Sequence, residues 1–125
     1  MQTKRILIVD DEHLTGIALA DYLQEEGFIP TVVENAQAAI EAQKEQPFNV
    51  CIVDIRMPGM DGVEATLALH KIAPMSHFII CTGSPEFTVP SVLKQIGLTQ
   101  QAVVTKPILD MEIFIALLKS WDGQG

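Results

Sequence analysis

Short apolar runs alternate with stretches of helical spacing five times along this 125-residue chain, and that alternation limits the available folds more than any other feature. Ile6–Val9, Ile29–Val33, Val50–Val53, Phe78–Cys81 and Ala102–Val104 read as strands. They lack strict apolar/polar alternation, as strands buried on both faces do. Pro30, near the start of the second run, favours an edge position for it.

Helical patterns fill the gaps. Leu14, Ile17, Ala18, Tyr22 and Leu23 recur at helical spacing, with Gly27 as the stop. Asn35 is placed to cap a helix carrying Ala36, Ala39, Ile40 and Gln43, which ends near Pro47. Asp61 caps a third helix, with Glu64 in capping-box register, which stops before Pro74. Asp110 caps a last one with Met111, Phe114, Leu118 and Trp121 on one stripe. The segment Ser84–Pro90 fits poorly, since it holds two prolines where a fourth helix should begin. A long loop and a helix of about two turns up to Gly97 are expected there. A repeated βα unit implies right-handed crossovers and a doubly wound parallel sheet with helices on both faces.

Length allows one domain with a single core, expected over residues 1–121, with 122–125 as a tail or the start of a linker. A net charge of −8 argues against nonspecific binding to nucleic acid or to an anionic membrane. No apolar stretch approaches the roughly 20 residues that span a bilayer. The opening Met1-Gln2-Thr3-Lys4-Arg5 leads to only four apolar residues before two aspartates, which is not a secretory signal, so a cytoplasmic location is expected. Cys51 and Cys81 lie inside apolar runs and read as buried, free thiols. An offset of two residues between neighbouring strands would put them roughly 8 Å apart, beyond the reach of a disulfide. His13, His70 and His77 are scattered and read as surface or helix-end residues, not ligands.

Chemistry gathers at the ends of the runs. Asp10 and Asp11 follow the first, Asp54 the third, Thr82 the fourth, and Lys106-Pro107 the fifth. In open parallel sheets the carboxyl edge is where ligands bind. Carboxylates collected there repel, which a shared divalent cation such as Mg²⁺ relieves. One carboxylate can act as a nucleophile and form an acyl phosphate. A hydroxyl and an ammonium can neutralise phosphoryl oxygens. Taken singly, Asp10 or Asp11 could cap the first helix, Asp61-Gly62 reads as turn and cap, and Arg56 as a solvated loop residue or one that reaches a phosphoryl group.

Four motifs together resemble the receiver domain of two-component response regulators: Ile8-Val9-Asp10-Asp11-Glu12, Val53-Asp54-Ile55-Arg56-Met57-Pro58-Gly59-Met60-Asp61-Gly62, Cys81-Thr82-Gly83 and Thr105-Lys106-Pro107. The resemblance implies an α/β, flavodoxin-like fold with sheet order 2-1-3-4-5. It implies that Asp54 is the phosphoacceptor, Thr82 the switch hydroxyl and Lys106 the phosphoryl contact. Mg²⁺ would be held by Asp10, Asp11, Asp54 and the main-chain carbonyl of Arg56, and Lys106–Pro107 would be cis. The partners it implies are a histidine kinase or phosphotransfer protein and an output partner or C-terminal effector domain, with a homodimer left open.

The chain departs from that pattern at its output face. Val103 stands where the family usually has an aromatic residue that follows the threonine, Gly83 replaces the common Ala, and the stretch from Gly97 to Lys106 is slightly long. The expected function is a phosphorylatable switch that promotes only its own phosphorylation and dephosphorylation and changes partner binding. An aspartyl-phosphate phosphohydrolase is disfavoured, because Arg56 stands where such enzymes usually carry a second aspartate. A degenerate receiver serving only as a binding module is disfavoured by the intact acids, Thr82 and Lys106.

Overall fold

The computed structural model describes residues 4–57 and 59–121; the expected tail, 122–125, lies outside them. The five strands are β1 (Arg5–Val9), β2 (Ile29–Val33), β3 (Val50–Asp54), β4 (His77–Thr82) and β5 (Val103–Thr105). They form one parallel sheet in the order β2-β1-β3-β4-β5, as expected. Between them run α1 (His13–Glu25), α2 (Ala36–Glu45), α3 (Gly62–Ile72) and α4 (Ser91–Lys94), and α5 (Glu112–Ser120) closes the series. No helix among the described residues is long and apolar enough to cross a membrane.

Alternation along each strand divides the core in two. Leu7, Val9, Cys51, Val53, Phe78 and Ile80 face α2, α3 and α4, where Ala39, Ala65, Leu69 and Leu93 meet them. Ile6, Ile8, Val50, Ile52, Ile79 and Cys81 face the other way, onto Leu19 and Leu23 of α1 and Phe114 and Leu118 of α5. Burying each of the larger side chains stabilises the fold by roughly 2–3 kcal/mol before conformational entropy is counted. With both faces covered, the central strands need apolar residues at every position, which is why they do not alternate.

Local chemistry sets the helix ends. Asn35 Oδ1 accepts from Ala38 N at 2.8 Å and Asp61 Oδ1 from Glu64 N at 2.9 Å, two of the three caps expected. Asp110 Oδ1 likewise accepts from Glu112 N at 2.9 Å at the start of α5. Gly27 and Gly97, both at φ +96, end α1 and α4 in left-handed turns that an L side chain would strain. Below the sheet, Gln43 is fully buried; its amide bonds the hydroxyl of Ser76 and the N–H of Phe48, tying α2 to the entries of β3 and β4.

Several expectations are corrected. The buried stripe of α1 is Gly16, Leu19 and Leu23, while Leu14, Ile17 and Ala18 are exposed. A Cβ at Gly16 would stand 2.9 Å from Val32 Cγ1, so the helix comes closest to β2 at Gly16 and turns Leu14 outward. The fifth strand begins at Val103, because Ala102 closes a 3-10 turn (Gln100–Ala102) onto Thr99. Helix α4 is one turn, not two, since Gly97 N and Leu98 N fold back onto Lys94 O and Leu93 O. Strand register pairs Asp54 with Cys81, which makes the Cys51–Cys81 offset three residues. At about 3.3 Å per residue that is roughly 10 Å along the strand. The odd number also puts the two thiols on opposite faces; both are buried and free. His77 is not at a helix end: half-buried, it begins β4 and stacks on Trp121 with the ring centres 4.4 Å apart.

Candidate functional site

The carboxyl ends of β1, β3, β4 and β5 meet at one edge. Asp10, one residue past β1, is held there by its N–H, which donates to Val33 O at 3.1 Å, and its side chain is 8% exposed. Asp54 ends β3 with the same side-chain exposure, fixed by Ile55 N donating to Cys81 O at 2.9 Å. Lys106 follows β5, and its N–H donates to Thr82 O at 2.7 Å. The Lys106–Pro107 bond is cis, as the resemblance implied.

Lys106 is the centre of the site. Its Nζ lies 3.1 Å from Asp10 Oδ2, 3.1 Å from Asp54 Oδ2 and 3.3 Å from Glu12 Oε1. Asp10 Oδ1 also accepts from Glu12 N at 2.9 Å and Asp54 Oδ1 from Arg56 N at 3.3 Å. Burial pushes the Asp54 carboxyl above the ordinary aspartate range and Asp10 adds to the rise, against the pull of Lys106 and the Arg56 N–H. Burial works to lower the Lys106 ammonium, but the hydrogen bonds from Asp10 and Asp54 outweigh it and hold its pKa above the usual lysine value. Lys106 is thus held charged by its two buried carboxylate partners, while for Asp54 the burial outweighs what Lys106 and the Arg56 N–H take off.

Thr82 is buried at the end of β4, and its Oγ1 accepts from Ser84 N at 3.1 Å. Arg56 reaches the cluster through its N–H, and Asp11 and Arg56 line an open hollow of about 360 Å³ together with Ile55, Met57 and Asp61. Among the described residues, the carboxylate oxygens close enough to share one ion, within 4.8 Å, belong to Asp10, Glu12 and Asp54. This all-oxygen set, with more negative charge than Lys106 cancels, suits a hard cation of the Mg²⁺ type.

Two residues of the site were not assigned from sequence. Glu12 follows the two aspartates in the Asp-Asp-Glu run, and the structure brings it to Lys106. Gly62 was read as part of a turn, yet a Cβ there would meet Asp54 O at 2.5 Å and Ile55 Cα at 2.6 Å, so its lack of a side chain lets α3 start directly against the Asp54 backbone. A glycine at the first position of a helix, just after its Asp cap, was the available signal.

The profile described as "Response regulator receiver domain" matches residues 6–118. The chain is 31% identical over 116 residues to the chemotaxis protein CheY of Halobacterium salinarum, covering 91% of this chain and 93% of that protein. It is 29% identical over 124 residues to the sensor histidine kinase GacS of Pseudomonas protegens, of whose length it spans 13%. A CheY-like receiver domain from Methanospirillum hungatei superposes with a TM-score of 0.77 at 27% identity, covering 95% of this chain and 93% of the other. The response regulator TrrA of Thermotoga maritima, solved in complex with Mg²⁺ and BeF, gives 0.80 at 26% identity, covering 94% and 98%. With that match and the acidic edge built around Lys106, the chain belongs to the response regulator receiver domain family of two-component signalling.

Proposed function

We propose that Asp54 is the phosphoacceptor of this receiver domain, with a histidine kinase or phosphotransfer protein as donor. The observation that carries the reading is the contact of Lys106 Nζ with both Asp54 and Asp10, 3.1 Å from each, at the carboxyl edge of the sheet. A carboxylate oxygen of Asp54 attacks phosphorus, the P–N bond of the phosphohistidine breaks, and the imidazole leaves with the electron pair and takes up a proton. Lys106 transfers a donor to a phosphoryl oxygen, and the Thr82 hydroxyl supplies another once it leaves Ser84 N. Mg²⁺ would be held by Asp10, Asp11, Asp54 and the main-chain carbonyl of Arg56; when bound it supplies positive charge to the phosphoryl oxygens. The similar TrrA, solved with Mg²⁺ and BeF, supports this ligand class.

The reaction alters the chain itself, so the protein is a switch and not an enzyme acting on outside substrates. Arg56, exposed two residues after Asp54, offers no acid or base for turnover. We take residues 1–121 as the switching unit and 122–125 as a tail or linker, working in the cytoplasm and acting on an output partner or effector domain. Acetyl phosphate with Mg²⁺ should label Asp54 as a base- and hydroxylamine-labile adduct, and Asp54→Asn should abolish the label. Labelling of Asp54→Asn at the wild-type rate would move the nucleophile elsewhere.

A further inference from the structure

Glu12 holds the N-cap position of α1, where Ser, Thr, Asp or Asn ordinarily closes the helix onto its own first-turn N–H groups. Its side chain makes no such bond. It reaches instead across 94 residues of sequence to Lys106 Nζ, at 3.3 Å. An ammonium has three donors, and Asp10, Asp54 and Glu12 take one each. A phosphoryl oxygen can bind Lys106 only after one of these contacts is surrendered.

The three contacts differ in strength. The Asp10 and Asp54 side chains are 8% exposed, whereas Glu12 is 65% exposed and makes the longest contact. Water screens and competes with an exposed partner, so the Glu12 bond is the one that gives way. Until it does, a Glu12 carboxylate oxygen lies within 4.8 Å of one of Asp54. An anionic phosphodonor approaching Asp54 meets that charge.

We propose that Glu12 is a positioning residue that parks Lys106 and acts as an electrostatic brake on phosphorylation of Asp54. The proposal rests on Asp54 being the phosphoacceptor. In the assay reaction an Asp54 oxygen bonds to the phosphorus of acetyl phosphate, and acetate leaves with the electrons of the broken P–O bond. Glu12 enters by withholding a Lys106 donor and by repelling the donor anion.

The test compares wild type with Glu12→Gln and Glu12→Ser, measuring initial labelling by acetyl phosphate at saturating Mg²⁺. Gln removes the charge; Ser removes it and restores a good helix cap, so a rate change caused by α1 would differ between the two. Both variants should label about two- to fivefold faster at low salt, with the gain fading toward none at about 0.5 M NaCl as screening shortens the reach of the charge. Unchanged or slower labelling in both variants overturns the brake, and so does a gain that persists at high salt. Wild-type protein that takes no label overturns the Asp54 reading and this proposal with it, whereas labelled wild type with unaltered variants overturns only the role of Glu12.

Discussion

Lys106 Nζ lies 3.1 Å from Asp54 Oδ2, although 52 residues separate them in the chain. Through the same nitrogen the ends of β1 and β5 are tied to the end of β3, because Asp10 stands at equal distance. A sheet edge that gathers buried carboxylates is destabilising unless a cation stands among them, and here the chain supplies its own. The arrangement is stable enough to persist and still under-neutralised. A phosphoryl group or a divalent cation therefore arrives at a site that already contains one positive partner and excess negative charge.

Asp54→Asn should stabilise the protein near neutral pH and do little at acid pH. Burial raises the Asp54 pKa in the fold, so the folded chain holds that proton more tightly than the unfolded chain. Protonation thus favours folding, and a cost appears as pH rises through the folded-state value. Asparagine never bears the cost. Urea unfolding from pH 4 to pH 7 should show the variant gaining up to ~1 kcal/mol over wild type as pH rises and then levelling off. A gain that shrinks with rising pH would contradict the direction of the shift.

Lys106→Met keeps most of the side-chain length and removes the charge, leaving Asp10 and Asp54 facing each other unpaired. A fully buried ion pair broken in this way costs about 3–5 kcal/mol; with some solvent reaching Lys106, a loss of ~2–3 kcal/mol at pH 7 is expected. Protonating Asp54, whose carboxyl burial already holds above the ordinary range, removes the repulsion, so the loss should diminish as the pH is lowered. Mg²⁺ should raise the melting temperature of this variant more than that of wild type, if the acids hold the ion as proposed. Equal shifts would place the ion elsewhere.

Much of this was legible in the sequence, for identifiable reasons. Strands buried on both faces produce continuous apolar runs, and their ends mark where Asp10, Asp54, Thr82 and Lys106 come together. Asn35 and Asp61 announce their caps because the cap bond lies within three residues. Glu12 was not assigned because its partner is 94 positions away and its own helix offers no competing role to notice. The inward face of α1 was misread because apolar residues occur on more than one side of it, and only contact with Val32 makes Gly16 the line of closest approach. Helix α4 is shorter than its expected run up to Gly97 because the N–H groups of Ile96, Gly97 and Leu98 bond back to Leu93 O and Lys94 O and close the turn early.

Gly62→Ala tests how tightly α3 is seated against the site. The new Cβ would stand 2.5 Å from Asp54 O and 2.6 Å from Ile55 Cα, both backbone atoms that no rotamer change can move. Overpacking of this kind costs typically ~1–3 kcal/mol, and the upper end is expected here. The variant should also label more slowly on Asp54, since the backbone that must shift carries the proposed nucleophile. A variant as stable as wild type would mean that the start of α3 has room the structure does not show.

The last prediction concerns the loop that follows Thr82. Its first bond, Ser84 N to Thr82 Oγ1 at 3.1 Å, is lost if phosphorylation draws the hydroxyl toward Asp54. Val103, half-buried, is too small to fill the space an aromatic side chain would take, so β5 has little to report. The loop is instead fastened farther along by Gln100, which accepts from Val89 N at 3.1 Å and donates to Phe87 O at 2.9 Å. Prolines at 85 and 90 limit the conformations it can adopt, so it should shift between a few arrangements and not melt. Amide exchange on phosphorylation should therefore change most between Gly83 and Gly97, with Val103–Thr105 nearly silent. Gln100→Ala should speed exchange at Val89 about fivefold to tenfold before any phosphorylation, the worth of one hydrogen bond. A change centred on Val103 and α5 would mean that the signal leaves Thr82 through strand β5, and an unaltered Val89 in Gln100→Ala would show that the loop is held by something other than that carboxamide.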